Sequence, residues 1–414
     1  MLVFRLLKES ILFALNALVS NKLRTFLSLL GITIGIFAII SVFTVVDSLE
    51  NSLRTSVASL GDDVVYVQKW PWTFGPDYPW WKYMDRPQPT TEELSEIQRR
   101  CQNAAAMAYE ATFSKTVQYH DNSMDNVSLA AISDNFNDVK KLEINDGRYF
   151  SEAEFASGKN IALIGDAIVQ GLFSGENPIG KEIEVMGRKL TIVGTLKKQG
   201  ESMIGETVDN NVFVPVNFAR NIVDMRKDQS NPTILVKAKT GITNAQLIDE
   251  LTGIMRSIRK LQPLADDDFA LNQTSMLSKQ FDGLFGIVGI IGWIIGGFAI
   301  LVGGFGIANI MFVSVKERTN IIGIQKSLGA KNYFILLQFL TESVVLSFIG
   351  GLLGLVIIYI AILFIGDSFG MTLVLSSSNI ILGLTISILI GVISGFIPAY
   401  GASQLDPVEA IRSN

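Results

Sequence analysis

Four long stretches without any Asp, Glu, Lys or Arg constrain this chain more than any other feature. They occupy residues 26–46, 283–315, 343–365 and 368–405. A helix needs about 20 mostly apolar residues to cross the hydrocarbon core of a bilayer, and helices satisfy their own backbone hydrogen bonds there. Because 49% of the 414 residues are hydrophobic as well, the sequence predicts a membrane α-helical protein with four transmembrane helices.

The basic residues orient these spans. Outside residues 47–282 every Lys and Arg flanks the spans on one side, whereas Asp367 lies on the other. These basic residues are Arg5, Lys8, Lys22, Arg24, Lys316, Arg318, Lys326, Lys331 and Arg412. Since basic loops stay in the cytoplasm, both termini and the loop 316–331 are predicted to be cytoplasmic. The protein is then a four-pass protein of the bacterial cytoplasmic (inner) membrane.

Residues 47–282 are predicted to form a large domain outside that membrane. They carry 33 acidic and 25 basic residues, and structureless connections of such length are rare. Helical patterns at 91–101 and 244–261 alternate with short β-branched runs, which is typical of an α+β domain. We expect two lobes inserted between the first and second spans, a porter-like lobe of residues 61–130 and 223–275 and an inserted lobe of residues 131–222.

The remaining segments follow from apolar periodicity. Apolar stripes continue beyond the first span and begin before the second, which predicts a paired stalk. The predicted divisions are an amphipathic cytoplasmic helix (1–24), first span and stalk (25–60), outer domain (61–275), stalk and second span (276–315), cytoplasmic helix (316–331), third span (332–366), outer loop (367–378), fourth span (379–403) and cytoplasmic tail (404–414). Glycine pairs at 292/296 and 350/354 have the spacing of close helix contacts, including those of dimers.

No catalytic, cofactor or metal centre is predicted. Residues 175–181 match the start of a phosphate-binding loop, but Glu182 stands where a Ser or Thr must hold magnesium; a turn and strand is the better interpretation. His120 is the only histidine, which disfavours a histidine metal site or a Ser-His-Asp triad, and we expect it on a strand in a structural role. Cys101 is the only cysteine.

Four of the five tryptophans fall within residues 70–84. Aromatic residues interleaved with Pro and Gly are more often the packed core of an irregular loop than a ligand site. A surface for a partner or for the membrane interface is the alternative interpretation.

The loop between the second and third spans is the most informative segment. It combines apolar residues, among them Val315, Ile322 and Leu328, with charged ones such as Lys316 and Lys326. A simple connector needs little apolar surface, so a short cytoplasmic helix that ends at Gly329 is predicted.

These residues resemble the MacB-type, FtsX-like permeases, which include the lipoprotein-release subunits LolC and LolE. The match runs from VKERT (315–319) through Gly323 and Lys326 to LGA (328–330). Further matches are NKLR (21–24), LLGITIG (29–35), GFIPA (395–399), LDPVEA (405–410), GRYF (147–150), NPIGK (177–181) and VFVP (212–215). The C-terminal matches, within residues 276–414, are the FtsX-like part.

This resemblance implies an ABC transporter permease that has no catalytic centre of its own and transmits ATP hydrolysis to the outer domain. ATP and Mg²⁺ would be bound by a separate cytoplasmic ATPase, since no nucleotide-binding domain is fused here. The implied partners also include a second permease copy, as a homodimer or heterodimer, and a periplasmic adaptor with an outer-membrane channel; no nucleic acid is expected. The implied ATPase-coupling residues are Val315, Lys316, Glu317, Arg318, Thr319, Ile322, Gly323, Ile324, Lys326, Leu328, Gly329 and Ala330.

The sequence departs from the family pattern within this helix. Ile321 stands where members commonly have a glutamate, and Gln325 and Ser327 replace frequent Arg and Ala. Glu342, early in the third span, has two interpretations: it snorkels to the interface, or it pairs with Lys326 or Lys331 and supports the coupling helix.

Three functions share this machinery and stay open from the sequence. The first is efflux or extraction of a substrate such as an antimicrobial, a peptide or a lipoprotein from the outer face of the membrane. The second is regulation of a cell-wall hydrolase, as in FtsX-like subunits. The third is lipoprotein release of the LolC and LolE kind.

Overall fold

The computed structural model describes residues 22–58, 60–73, 78–200, 207–225, 230–365 and 373–412. The amphipathic helix predicted for residues 1–24 lies almost entirely outside them. The chain divides into two compact units, one formed by residues up to 51 together with those from 283 onward, and the other by residues 52–282.

The helices of the described residues differ greatly in length. In chain order they are α1 (Lys22–Ala58), α2 (Trp80–Tyr83), α3 (Thr91–Arg100), α4 (Phe136–Val139), α5 (Glu152–Ser157), α6 (Asp166–Phe173), α7 (Val216–Arg220), α8 (Asn244–Ile258), α9 (Thr274–Glu317), α10 (Thr319–Ser327), α11 (Asn332–Ile365), α12 (Ser377–Ser403) and α13 (Pro407–Arg412). Within the described ranges four helices, α1, α9, α11 and α12, are long and apolar enough to span a membrane. The four-span prediction is therefore confirmed.

Close packing of small residues holds the membrane unit together. The Ser343 hydroxyl donates a hydrogen bond to the Gly391 carbonyl at 2.9 Å, and a Cβ added at Gly391 would lie 2.1 Å from the Ser347 hydroxyl. The helices α11 and α12 thus meet almost backbone to backbone, as small residues permit within membranes.

The glycine pairs identified in the sequence face α1 of the same chain. An added Cβ would lie 2.3 Å from Ile39 at Gly296 and 3.0 Å from Ile32 at Gly350. Gly292 and Gly354 likewise approach α1. These four glycines therefore serve packing within the membrane unit.

The outer unit is built on one mixed sheet. Its strands are β1 (Val64–Gln68), β2 (Ala104–Tyr119), β3 (Asn122–Ile132), β4 (Ile144–Gly147), β5 (Ile161–Ile164), β6 (Glu182–Val185), β7 (Arg188–Leu196), β8 (Asn211–Pro215), β9 (Thr233–Ala238) and β10 (Ala270–Gln273). Among the described residues their order is β10-β1-β9-β2-β3-β8-β5-β7-β4, and β6 pairs with β2 and β7. The β3/β8 and β5/β7 pairs are parallel and the others are antiparallel.

Both faces of this sheet are covered, since alternate residues of a strand point to opposite sides. Val65 and Val67 of β1 join one core, which includes Ile97 of α3 and buried side chains of α8. Val64 and Tyr66 join the opposite core, which includes the phenylalanines Phe136, Phe150, Phe155 and Phe213. The α+β class is confirmed, and strands from the predicted inserted segment continue the same sheet through the β3/β8 pair, so the lobe boundaries stay a prediction.

Candidate functional site: the short helix between the second and third spans

Two local features define the short helix α10. Arg318 separates it from α9, with a backbone N–H that donates to the carbonyls of Ser314 and Val315. At its other end Gly329 has φ +98°, its N–H bonds to the Lys326 carbonyl, and the Ala330 N–H bonds to the Gln325 carbonyl. This is the Schellman arrangement, in which a left-handed glycine ends a helix. The prediction that the helix ends at Gly329 is therefore confirmed.

One face of α10 packs on the membrane unit. Ile322 is buried in the hydrophobic core of the membrane unit. A Cβ added at Gly323 would lie 2.9 Å from the Ala410 Cβ and 3.0 Å from the Ile411 backbone nitrogen in α13. Lys326 donates from Nζ to the carbonyls of Ser403 and Leu405, at 2.9 and 2.6 Å. Three of the predicted residues (322, 323 and 326) are thus held by this chain itself.

The opposite face of α10 carries an exposed apolar stripe. Ile321, Ile324 and Leu328 are 49%, 48% and 84% exposed, and their i, i+3, i+7 spacing places them on one side of a helix. Ile321 is not among the predicted coupling residues, although its spacing from Ile324 and Leu328 places it on the same side of the helix. An apolar stripe of this kind, with basic residues nearby, is suited to docking a protein partner.

The carboxylate of Glu342 supports the junction between α9 and α10. Its Oε2 accepts from the Arg318 guanidinium at 3.2 Å, and its Oε1 lies 3.5 Å from the Ser314 hydroxyl. The side chain is 7% exposed. The predicted pairing of Glu342 with Lys326 or Lys331 was wrong. Glu342 lies about 15 Å along α11 from the first residue of that helix. At this position its side chain contacts Ser314 near the end of α9 and Arg318 just after it. Burial also rules out a snorkelling side chain.

The other predicted coupling residues surround these two faces. Val315 and Ala330 are partly buried and pack against the hydrophobic core of the membrane unit. Lys316 and Glu317 are exposed. The Thr319 hydroxyl donates to the Val315 and Lys316 carbonyls, at 3.0 Å each, which bridges the break between α9 and α10.

Two features of the outer unit are structural. Residues 174–181 form a turn leading into β6, as predicted, and Lys181 pairs with Glu176. His120 lies in the turn between β2 and β3 with φ +49°, so its predicted position on a strand was wrong. No group of three or more metal-binding side chains occurs among the residues that the structure describes.

The tryptophan-rich segment divides into a packed and an exposed part. The Trp72 ring lies 4.9 Å from Tyr66, and its carbonyl accepts from Gln280 Nε2 at 2.9 Å. Trp80 and Trp81, in α2, are both exposed. Trp72 therefore fits the predicted packed loop, whereas Trp80 and Trp81 do not, and residues 74–77 lie outside the described ranges.

Family models match both parts of this architecture. The MacB-like periplasmic core domain matches residues 25–254, and the FtsX-like permease C-terminal region matches residues 293–407. The chain belongs to this family of ABC transporter permeases. The resemblance stated from the sequence is thereby confirmed, and the second match contains all of α10.

Two relatives that match nearly the whole chain agree with this assignment. YknZ, an ABC transporter permease of Bacillus subtilis (strain 168), is 31% identical over 98% of this chain and 99% of its own length. A macrolide export ATP-binding/permease protein MacB of Marinobacter nauticus is 29% identical over 98% of this chain. The chain spans 61% of that MacB. The periplasmic region of MacB from Actinobacillus actinomycetemcomitans aligns with a TM-score of 0.44 and 14% identity, over 55% of this chain and 95% of that structure.

Proposed function

We propose that this permease couples ATP hydrolysis by a separate cytoplasmic ABC ATPase to movement of its outer domain. Each ATPase would bind ATP and Mg²⁺, and the exposed stripe of Ile321, Ile324 and Leu328 on α10 would sit against it. The observation that carries the proposal is this stripe, which lies beside basic residues that favour a cytoplasmic location. The chain itself would supply no catalytic group.

The lengths of two helices support transmission through the membrane. The helices α1 and α9 contain 37 and 44 residues, about 55 and 66 Å at the rise of an α-helix, whereas a hydrocarbon core is about 30 Å thick. Each helix is therefore long enough to cross the bilayer and extend past it. A movement of the helix at one membrane face would then also move the part that extends past the other face. A second permease copy would complete the working unit, with a periplasmic adaptor and outer-membrane channel as further partners.

Efflux or extraction of a substrate at the outer face is the direction that we propose. The MacB relatives named for macrolide export support it, although only 61% of the Marinobacter relative is covered. The membrane-embedded part also favours substrate handling outside the membrane core. Among the described residues of α11 and α12, Glu342 is the single carboxylate, and Arg318 already engages it, whereas solute paths through membranes are usually marked by ionisable groups.

Stimulation of the ATPase tests this proposal. The full chain and its cognate ABC ATPase would be reconstituted in nanodiscs, and ATP hydrolysis measured with and without the permease. We expect Leu328→Asp to abolish the permease-dependent stimulation, because a carboxylate would replace the most exposed apolar side chain of the stripe. Leu264→Asp is the matched control, since Leu264 is 100% exposed in the outer unit. Unchanged stimulation in Leu328→Asp would refute the docking role of α10.

A further inference from the structure

The C-terminal helix α13 is built into the inward face of α10. Gly323 allows the two helix backbones to touch, with 3.0 Å between its added Cβ and the Ile411 nitrogen. Ala410 is buried in the same contact. Asp406 fixes the start of α13, since its Oδ1 accepts from the Val408 and Glu409 N–H groups at 2.8 and 3.3 Å. The contact is therefore between two defined helices.

Lys326 ties α10 to the end of the fourth span. Its ammonium group bonds to the carbonyls of Ser403, the last residue of α12, and of Leu405. The last carbonyls of a helix lack partners within it and carry partial negative charge, so a lysine there is favourable. Ser403 is buried, and Leu405 is partly buried against the hydrophobic core of the membrane unit. The Lys326 side chain therefore binds the buried end of α12.

These contacts add a connection that the chain path lacks. The helix α10 follows α9 and precedes α11, so both move with it through the backbone, whereas α12 is joined to it along the chain only through α11, on which it packs. We infer that Lys326 and the segment 403–412 make α12 move with α10, so that ATPase-driven displacement reaches three membrane helices. Lys326 is then a positioning residue, and this inference rests on the proposed function.

Separating ATPase binding from ATPase stimulation tests the role of Lys326. Lys326→Met keeps the apolar stem but removes both hydrogen bonds. We expect ATPase affinity to stay within about threefold, while permease-dependent stimulation falls about tenfold or more, the loss expected for a charged group with two partners. Lys326→Arg should restore part of the stimulation, because a guanidinium can also donate to two carbonyls.

The matched control is Lys331→Met, which removes an exposed lysine five residues further on. It should leave both affinity and stimulation unchanged. Stimulation that is equal in Lys326→Met and wild type, or affinity and stimulation that fall together, would overturn the inference. A wild-type permease that neither binds nor stimulates the ATPase would instead refute the proposed function.

A disulfide between α10 and α13 tests the shared movement without relying on Lys326. The added Cβ at Gly323 lies 2.9 Å from the Ala410 Cβ, whereas disulfides have a Cβ separation of about 3.8 Å, so the bond requires α13 to shift by about 1 Å. The variant is Gly323→Cys with Ala410→Cys in a Cys101→Ser background. We expect oxidation to join the two helices and the joined protein to keep its stimulation.

Two results would count against the inference. Failure to form the cross-link in the folded permease would contradict the α10/α13 contact, and this readout needs no ATPase. Stimulation that is lost on oxidation and restored by a reductant would show that the two helices must separate during the cycle.

Discussion

The two faces of α10 differ in what holds their side chains. Ile322, Gly323 and Lys326 contact other parts of this chain, whereas Ile321 and Ile324 on the opposite face are each about half exposed. A helix of nine residues thus combines an anchored side with a side available for a partner. Substitutions on the two faces should therefore fail in different ways, one in stability and the other in binding.

The largest expected effect belongs to the exposed face. Ile321→Asp combined with Ile324→Asp places two carboxylates in the proposed docking surface, and loss of two apolar anchors typically costs about 2 kcal/mol each. We expect the Kd of the ATPase for the permease in nanodiscs to rise by about 100-fold or more. The melting temperature of the permease alone should not change, and a large fall in it would remove the distinction between the two faces.

The buried ion pair tests whether the anchored side is a scaffold. Glu342→Met removes the carboxylate that accepts from the Arg318 guanidinium, and loss of one half of this pair should cost about 2 kcal/mol, less than for a fully buried pair because Arg318 is 19% exposed. We expect a clear fall in the free energy of unfolding of the membrane unit, measured by denaturant titration in detergent. The double variant Arg318→Met with Glu342→Met should recover most of this loss, and a double variant as unstable as the single one would contradict that account.

Gly323 gives the smallest of the three effects. Gly323→Ala adds a methyl group against Ala410 and Ile411, and overpacking of this kind costs about 1–3 kcal/mol. We expect a lower melting temperature with ATPase affinity reduced only through loss of folded protein. The control is Gly306→Ala, whose added Cβ has nothing within 4 Å; equal melting temperatures for the two variants would show that α10 and α13 are not in tight contact.

The short helix α10 was predicted only in part from the sequence. Its end followed from Gly329, because a glycine that ends a helix is a local property of the chain. The sequence does not distinguish the buried face of α10 from its exposed face, because Ile321, Ile322 and Ile324 are all isoleucine. Only the contacts with α13 and the membrane core decide which of them are buried. The partner of Glu342 was missed for the same reason, as helix depth depends on packing.

The outer unit divides in a similar way. Its α+β class and the helix at Thr91, which begins with a capping box at Thr90, are encoded in short patterns. The sheet order is not, because the parallel pair β3/β8 joins Ser128 to Asn211, which are far apart along the chain. Such pairings depend on burial of both sheet faces rather than on local sequence.

Photo-cross-linking from position 328 would show whether α10 lies against the ATPase. A photoreactive amino acid would replace Leu328 in the full chain in cells, with position 264 of the outer unit as an exposed reference. We expect a covalent adduct with the cytoplasmic ABC ATPase from position 328 and none from position 264. An intact permease–ATPase complex that gives no adduct at 328, or an ATPase adduct at 264, would contradict the docking role of α10.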